Sequence, residues 1–412
     1  MPSRDSAASR RKLLQFVAAS PLLAHGASGV WAAEIAKPLP KLPDPLTWAP
    51  LNPDVLIKSS KEAINVFDFE LVARQNVPPS HFGYMASGID DEVTLRANRQ
   101  DFQKFQLLPR RLNDVSKIDT RVELFGVTYG SPVFLCPIGG QGAYETGAEV
   151  TVAAGAKAGN HLQILSTHAS TSINDVMEAR GAPVWFQLYA TSSLDVAKAL
   201  VKRAENAGSP VMAITIDRVT GRNQETRARL QLTDDRTCRD CHDNKPPRPA
   251  FDGIDTTGVN MISANLTWDF VRRIRDATKM KVVLKGIITP EDAKLCVDSG
   301  FDGFIVSNHG GRAEDSGRSS IDALPEIIAA AGRRIPVLVD SGFRRGTDVV
   351  KALAMGASAV GIGRPYVWGL GAFGQEGVER VLEIVQTETE VAMGQCGASS
   401  VKKLTPALVR RV

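Results

Sequence analysis

Two segments near the C-terminal end of the sequence combine glycine and arginine in a way suited to holding an anion: Asp340-Ser341-Gly342-Phe343-Arg344-Arg345-Gly346 and Gly361-Ile362-Gly363-Arg364-Pro365. Glycines let backbone N–H groups approach a ligand closely and arginine adds bidentate contacts, so the pair reads as a phosphate cradle. Upstream lie groups that can hold charge or move a proton: Asp217, Lys285, and His309 with Arg312 in Ser307-Asn308-His309-Gly310-Gly311-Arg312. A further motif, Cys238-Arg239-Asp240-Cys241-His242, has the spacing at which two thiols form thioethers to c-type haem and the histidine becomes an axial ligand. A disulfide or a redox-inactive thiol pair is the alternative there.

These residues need a frame, and the apolar pattern supplies one. Eight short apolar runs occupy 133–139, 161–167, 184–190, 211–217, 281–287, 303–308, 335–340 and 359–364. Most are separated by one helix-length segment, such as Glu145 to Gly159, Ser193 to Gly208, Pro290 to Gly300 and Thr347 to Gly356. Buried strands alternating with helices specify an α/β fold with a parallel sheet covered on both faces, and eight such units close a (β/α)8 TIM barrel. An open doubly wound sheet is the runner-up, but no Gly-x-Gly-x-x-Gly opens a helix after the first strand. In a barrel the run ends share one face, which would gather Gly139, Ser166, Gln187 with Tyr189, Thr215 with Asp217, Lys285, His309, Asp340 with Gly342, and Gly363 with Arg364.

The spacing breaks once, predicting an insertion of about 218–280 after the fourth strand, of the kind that forms a lid or recognition loop. Before the barrel, Ile64, Phe67, Leu71 and Val72 repeat at helical spacing, so a helical extension is expected from near Ser60 to about Arg111. Residues 34–60 hold Pro38, Pro40, Pro43, Pro45, Pro50 and Pro53 and read as a proline-rich linker, leaving 61–412 as the barrel domain.

Residues 1–33, with Ser9-Arg10-Arg11-Lys12 followed by a short apolar run, resemble a twin-arginine export signal, which implies a periplasmic protein. A basic N-terminus on a cytoplasmic enzyme is the alternative. Arg4, Arg10, Arg11 and Lys12 against Asp5 place +3 of the formal charge of +4 in this leader. The near-neutral remainder has no clustered basic stripe, which excludes nucleic acid as the expected partner. No apolar run reaches the roughly 18 residues a membrane-spanning helix needs.

Ser307–Arg312, Leu284–Gly286, Asp340–Gly346 and Ile362–Pro365, with Phe186-Gln187-Leu188-Tyr189 and Tyr84-Met85-Ala86-Ser87-Gly88, together resemble the FMN-dependent α-hydroxy-acid oxidases and dehydrogenases, a family that includes glycolate oxidase, lactate oxidase and mandelate dehydrogenase. The similarity runs from about Asn65 to the C-terminus.

The resemblance implies oxidation of a 2-hydroxy acid to the 2-oxo acid, with a proton removed by His309 and two electrons passed to flavin N5. A histidine titrating near neutrality suits that proton. Asp217 would stabilise the imidazolium, Arg312 would grip the substrate carboxylate with two parallel bonds, and Tyr84 and Tyr189 would add hydroxyl donors. Lys285 would offset negative charge on the reduced flavin. Ser166, Gln187 and Thr215 would bond the ring and Gly139 would pack on it. Ser307 and Asp340 would support the ribityl chain, with Gly342, Arg344, Gly363 and Arg364 at the phosphate.

The sequence departs from the family in one binding element. Family members place a second substrate arginine in a Gly-x-Arg-Glu context, whereas here Gly221-Arg222-Asn223-Gln224 puts Asn223 at that position, so the contact depends on Arg222 or Arg227. His168 stands where some members carry a bulky aromatic, implying a wider or more polar pocket. The expected partners are a small 2-hydroxy acid, an electron acceptor (oxygen, a quinone or a cytochrome) and further copies of the chain in a homo-oligomer. Two other readings remain open: a flavin–haem electron-transfer dehydrogenase using the Cys238/Cys241 motif, and a non-redox phosphate-binding barrel enzyme.

Overall fold

The computed structural model describes residues 56–234 and 248–412. The leader, the linker up to residue 55, and Cys238, Cys241 and His242 lie outside the described residues.

Three short helices come first among the described residues, α1 (Asp68–Asn76), α2 (Pro79–Ala86) and α3 (Val93–Gln100). The Pro78-Pro79 pair separates the first two, because proline has no N–H to donate and keeps its predecessor out of the helical region. The helical pattern expected as far as Arg111 therefore ends sooner. Phe105–Leu107 (β1) instead pairs antiparallel with the C-terminal strand Val409–Arg411, and Ile64, assigned to the apolar stripe, is 81% exposed.

A hairpin of β2 (Val122–Leu124) and β3 (Val127–Tyr129) turns through Phe125 and Gly126, both at positive φ. Then β4 (Val133–Leu135), β5 (Leu162–Ser166), β6 (Trp185–Tyr189), β7 (Val211–Thr215), β8 (Lys281–Ile287), β9 (Gly303–Val306), β10 (Val337–Val339) and β11 (Ala359–Ile362) close a parallel eight-stranded barrel. Every one of these strands falls inside one of the eight apolar runs. The hairpin stops the N-terminal end of the barrel: Trp185, at the start of β6, donates from Nε1 to the Tyr129 hydroxyl (3.2 Å), and Phe125 packs on the same indole. With the bottom filled, the open face is the one where the strands end.

The helices between strands are α4 (Ala148–Ala158), α5 (Ile173–Arg180), α6 (Leu194–Asn206), α7 (Glu225–Leu232), α8 (Trp268–Arg275), α9 (Pro290–Asp298), α10 (Ser320–Ala331), α11 (Gly346–Met355) and α12 (Arg364–Gln395). Ser172, Ser193, Thr267, Thr289 and Ser319 cap five of them by accepting a backbone N–H three residues on. The insertion after β7 is not purely loop. It holds α7, and α8 serves as the barrel's own helix.

Candidate active site

At the C-terminal ends of the strands lies a cleft of about 740 Å³, part of it open to solvent. His309 and Tyr189 line it, and Asp217 stands behind His309. The Asp217 Oδ1 atom lies 2.9 Å from His309 Nδ1, and the Tyr189 hydroxyl lies 3.2 Å from Nε2. His309 sits at φ 60°, a conformation uncommon for a residue with a side chain, and is held there as the Ser307 hydroxyl accepts its N–H (3.1 Å).

The ring can lie against Asp217 because of a bulge in β8. Pairing shifts between Lys285 and Ile287, with Gly286 at φ 114°, and a Cβ on Gly286 would fall 2.6 Å from Asp217 Cβ. Burial lowers the His309 pKa, against which Asp217 pulls upward through its charge and hydrogen bond. Burial works to raise Asp217, but the His309 charge and hydrogen bond, with Lys285 and Arg222, bring it below the usual carboxylate range.

Lys285 is buried, donates to the Ser307 hydroxyl (2.8 Å) and pairs with Asp340 Oδ2 (3.2 Å). Burial alone would lower its pKa, yet Asp340 and Asp217 raise it above the ordinary lysine value, so it is a fixed cation on the cavity wall.

Arg312 donates through Nη1 to the carbonyls of Tyr84 and Ser87 at the end of α2. Its Nε and Nη2 carry no bond among the described residues, leaving free the edge that grips a carboxylate in two parallel bonds. The guanidinium lies 4.4 Å over the Tyr84 ring.

The two glycine-arginine segments meet across the cavity. Gly342, at φ 88°, backs onto α3 so closely that a Cβ would lie 1.9 Å from the Asn98 carbonyl oxygen. Gly363, before the first turn of α12, lines the cavity and has nothing nearer its missing Cβ than 3.6 Å, so the backbone there is open to close approach by a ligand. Arg344 is buried, bonds the Phe343 carbonyl through Nη1 (2.8 Å), and leaves Nε buried with no partner among the described residues. A buried cation with an orphaned donor beside a helix N-terminus is a fitting receptor for a phosphate, so these residues fit FMN. Arg364 is placed otherwise than the sequence implied. It lines the cavity, but Nε, Nη1 and Nη2 are engaged by the carbonyls of Met85, Gly310 and Ser87, clamping α2 to the His309 loop.

Ser166, Gln187 and Thr215 stand on three adjacent strands and bond one another: the Ser166 hydroxyl donates to Gln187 Oε1 (3.0 Å), whose Nε2 donates to Thr215 Oγ1 (2.8 Å). All three are buried, and Gly139 and Asp340 line the cavity. Ser307 is the hinge between Lys285 and the His309 backbone.

Four residues at or near the cleft escaped the sequence reading or were left open by it. Tyr144, on the loop after β4, lines the cavity. Its position outside any strand end hid it. Asn223 turns away and donates to Glu225 (3.2 Å), while Arg222 donates to the Arg312 carbonyl (2.9 Å) and Arg227 lies 4.8 Å over the Tyr84 ring. Arg227 arrives with α7, which rests on α2 where Gly83 has no side chain: a Cβ there would meet Leu230 Cδ1 at 2.9 Å.

A barrel with an anion cradle, a histidine–aspartate pair and a free arginine fork on its C-terminal face defines a phosphate-cofactor-binding barrel enzyme. The chain belongs to the FMN-dependent dehydrogenase family, whose pattern it matches over residues 73–411, and is an FMN-dependent enzyme of 2-hydroxy-acid oxidation. It is 39% identical over 348 residues to an L-lactate oxidase of Lysinibacillus sphaericus, covering 82% of this chain and 90% of the relative. It is 37% identical to glycolate oxidase 1 of Oryza sativa subsp. indica, covering 84% and 95%. A soluble mutant of the membrane-associated (S)-mandelate dehydrogenase from Pseudomonas putida superposes with a TM-score of 0.79 at 31% identity, covering 85% of this chain and all of that one. The family supports FMN and lends nothing to haem attachment at Cys238 and Cys241.

Proposed function

We propose that the protein oxidises a 2-hydroxy acid to the 2-oxo acid with His309 as the base, and that oxygen takes up the electrons. The observation that carries this reading is the Asp217–His309–Tyr189 chain, which opens onto the same cavity as the free edge of Arg312. FMN, when bound, supplies the two-electron acceptor.

Arg344, Gly342 and Gly363 would hold its phosphate, Lys285 and Gly139 its ring, and Asp340 and Ser307 the chain between. Arg312 fixes the substrate carboxylate, and Tyr84 and Tyr189 offer hydroxyl donors beside it. His309 Nε2 takes the proton that leaves the substrate, and Asp217, bonded to Nδ1, steadies the imidazolium that results. The cation on Lys285 favours negative charge developing at its end of the cavity. An oxygen acceptor fits the oxidases among the relatives. We further propose export to the periplasm, supported by the Arg10-Arg11 leader and tested by cell fractionation.

The test of the activity is the absorbance of the purified FMN-loaded protein, recorded without oxygen while a panel of 2-hydroxy acids is added. Loss of the flavin bands with stoichiometric 2-oxo acid is the expected result. Unchanged bands with every acid overturn the reading.

A further inference from the structure

Four guanidinium groups crowd the two tyrosines of the cleft. Arg312 and Arg227 lie 4.4 and 4.8 Å over the Tyr84 ring, Arg218 lies 5.3 Å over the Tyr189 ring, and Arg222 is bonded to the Arg312 carbonyl. Among the described residues none of the four has a carboxylate partner, although Arg229, two positions from Arg227, pairs with Glu225 at 2.7 Å. The Nε atoms of Arg218 and Arg227 are buried without a hydrogen bond.

Like charges gathered in a part-buried place repel one another, and leaving their donors unbonded adds a desolvation cost. Asp217, whose field reaches Arg222, is itself engaged by His309. The α-carboxylate of a simple 2-hydroxy acid offsets one positive charge at Arg312. Among the described residues nothing balances the remaining positive charge, and a ligand that brings more negative charge would do so.

We infer that the preferred substrate is a short 2-hydroxy dicarboxylate, and that Arg218 receives its second carboxylate. This rests on the flavin-dependent reading above. The place is suitable: the Tyr189 hydroxyl touches His309 Nε2 while Arg218 lies on the ring of the same tyrosine, so a group held by Arg218 is one side chain away from the base. The neighbouring wall is polar without being anionic. His168 stacks on Tyr189 (5.1 Å) and Phe251 (5.9 Å), and burial, with Arg248 and Arg218, pushes its pKa down to about 3, so it stays neutral. The surrounding arginines also bring the Tyr84 phenol down to about 8 against the upward push of burial, as uncompensated positive charge would.

The experiment is anaerobic flavin reduction by malate and 2-hydroxyglutarate against lactate and 2-hydroxybutyrate, in the wild type, Arg218→Gln and Arg218→Lys. Calorimetric binding of unreactive succinate against butyrate provides a readout independent of turnover. A charged hydrogen-bonded contact is worth a preference for the diacids of about ten- to a hundredfold. Arg218→Gln should remove most of that preference, Arg218→Lys should retain part, and succinate affinity should fall in parallel. Reduction by monoacids with no diacid preference overturns this inference and leaves the activity standing, as does a preference that survives Arg218→Gln. Reduction by no 2-hydroxy acid overturns both.

Discussion

The chemistry assigned to single side chains turns on how two titrating groups are set. His309 is pulled down by burial and pulled back up by Asp217, with the downward effect prevailing, so its neutral, proton-accepting form persists below the ordinary histidine pKa of about 6.5. The acid limb of kcat/KM should therefore lie below that value. Asp217→Asn removes the upward pull, so the limb should move to still lower pH while the plateau falls by about a hundredfold or more, because a weaker base takes the proton less readily. A limb that moves to higher pH contradicts the pairing. Tyr84 shifts in the opposite sense from a buried phenol, to about 8, because Arg312, Arg222, Arg218 and Arg227 outweigh burial. Losing its proton above about pH 8 puts a negative charge where the substrate carboxylate binds, so KM should rise on the alkaline side. In Tyr84→Phe that rise should vanish, and steady-state profiles of the two proteins check it.

At the scale of elements, the barrel and the position of its insertion were legible, and the helices inside the insertion were not. Strands buried on both faces leave continuous apolar runs, and all eight barrel strands fall inside the runs read from the sequence. Polar residues at the run ends were likewise visible as one face, which is why His309, Lys285 and Asp340 were found. Side-chain direction was not visible. Ser166, Gln187 and Thr215 bond one another across adjacent strands, and Arg364 donates to backbone carbonyls. The N-terminal pattern suggested one helical stretch because Ile64, Phe67, Leu71 and Val72 keep helical spacing, whereas the pairing of β1 with a strand some three hundred residues away leaves no local trace. Arg227 was named as a candidate contact but its place was not visible, since α7 is amphipathic only weakly and is placed by its contact at Gly83. Close approach of elements also yields a prediction. Gly342→Ala sets a methyl against the Asn98 carbonyl at a left-handed backbone position, which should cost about 2 kcal/mol or more and loosen the phosphate cradle. A lower melting temperature and weaker FMN retention are expected, and a variant matching the wild type in both shows the contact to be dispensable.

Across the whole molecule, the cofactor and the fold are coupled. The cradle joins the last two strands of the barrel to α11 and α12, and its buried arginine carries an unmet donor. Binding an anion there stabilises the folded chain over the unfolded one, by about 2.7 kcal/mol when free FMN stands at roughly a hundredfold its dissociation constant. Removing FMN should therefore lower the melting temperature, and adding it back should restore the loss in a concentration-dependent way. Riboflavin, which lacks the phosphate, should restore much less. Equal rescue by riboflavin would take the stabilisation away from the phosphate cradle. The segment before the barrel and the C-terminal strand are joined too, as β1 pairs with residues 409–411 beside α11.

In the proposed reaction His309 takes the substrate proton while other groups hold the cofactor and the carboxylate. The most direct test is rapid-mixing measurement of flavin bleaching without oxygen, in wild type and His309→Gln, with FMN content and substrate affinity measured on the same samples. If His309 is the base, the variant keeps FMN and binds substrate, while bleaching slows by about four orders of magnitude or more, beyond what loss of a positioning contact produces. Bleaching in His309→Gln within about tenfold of the wild-type rate would contradict it.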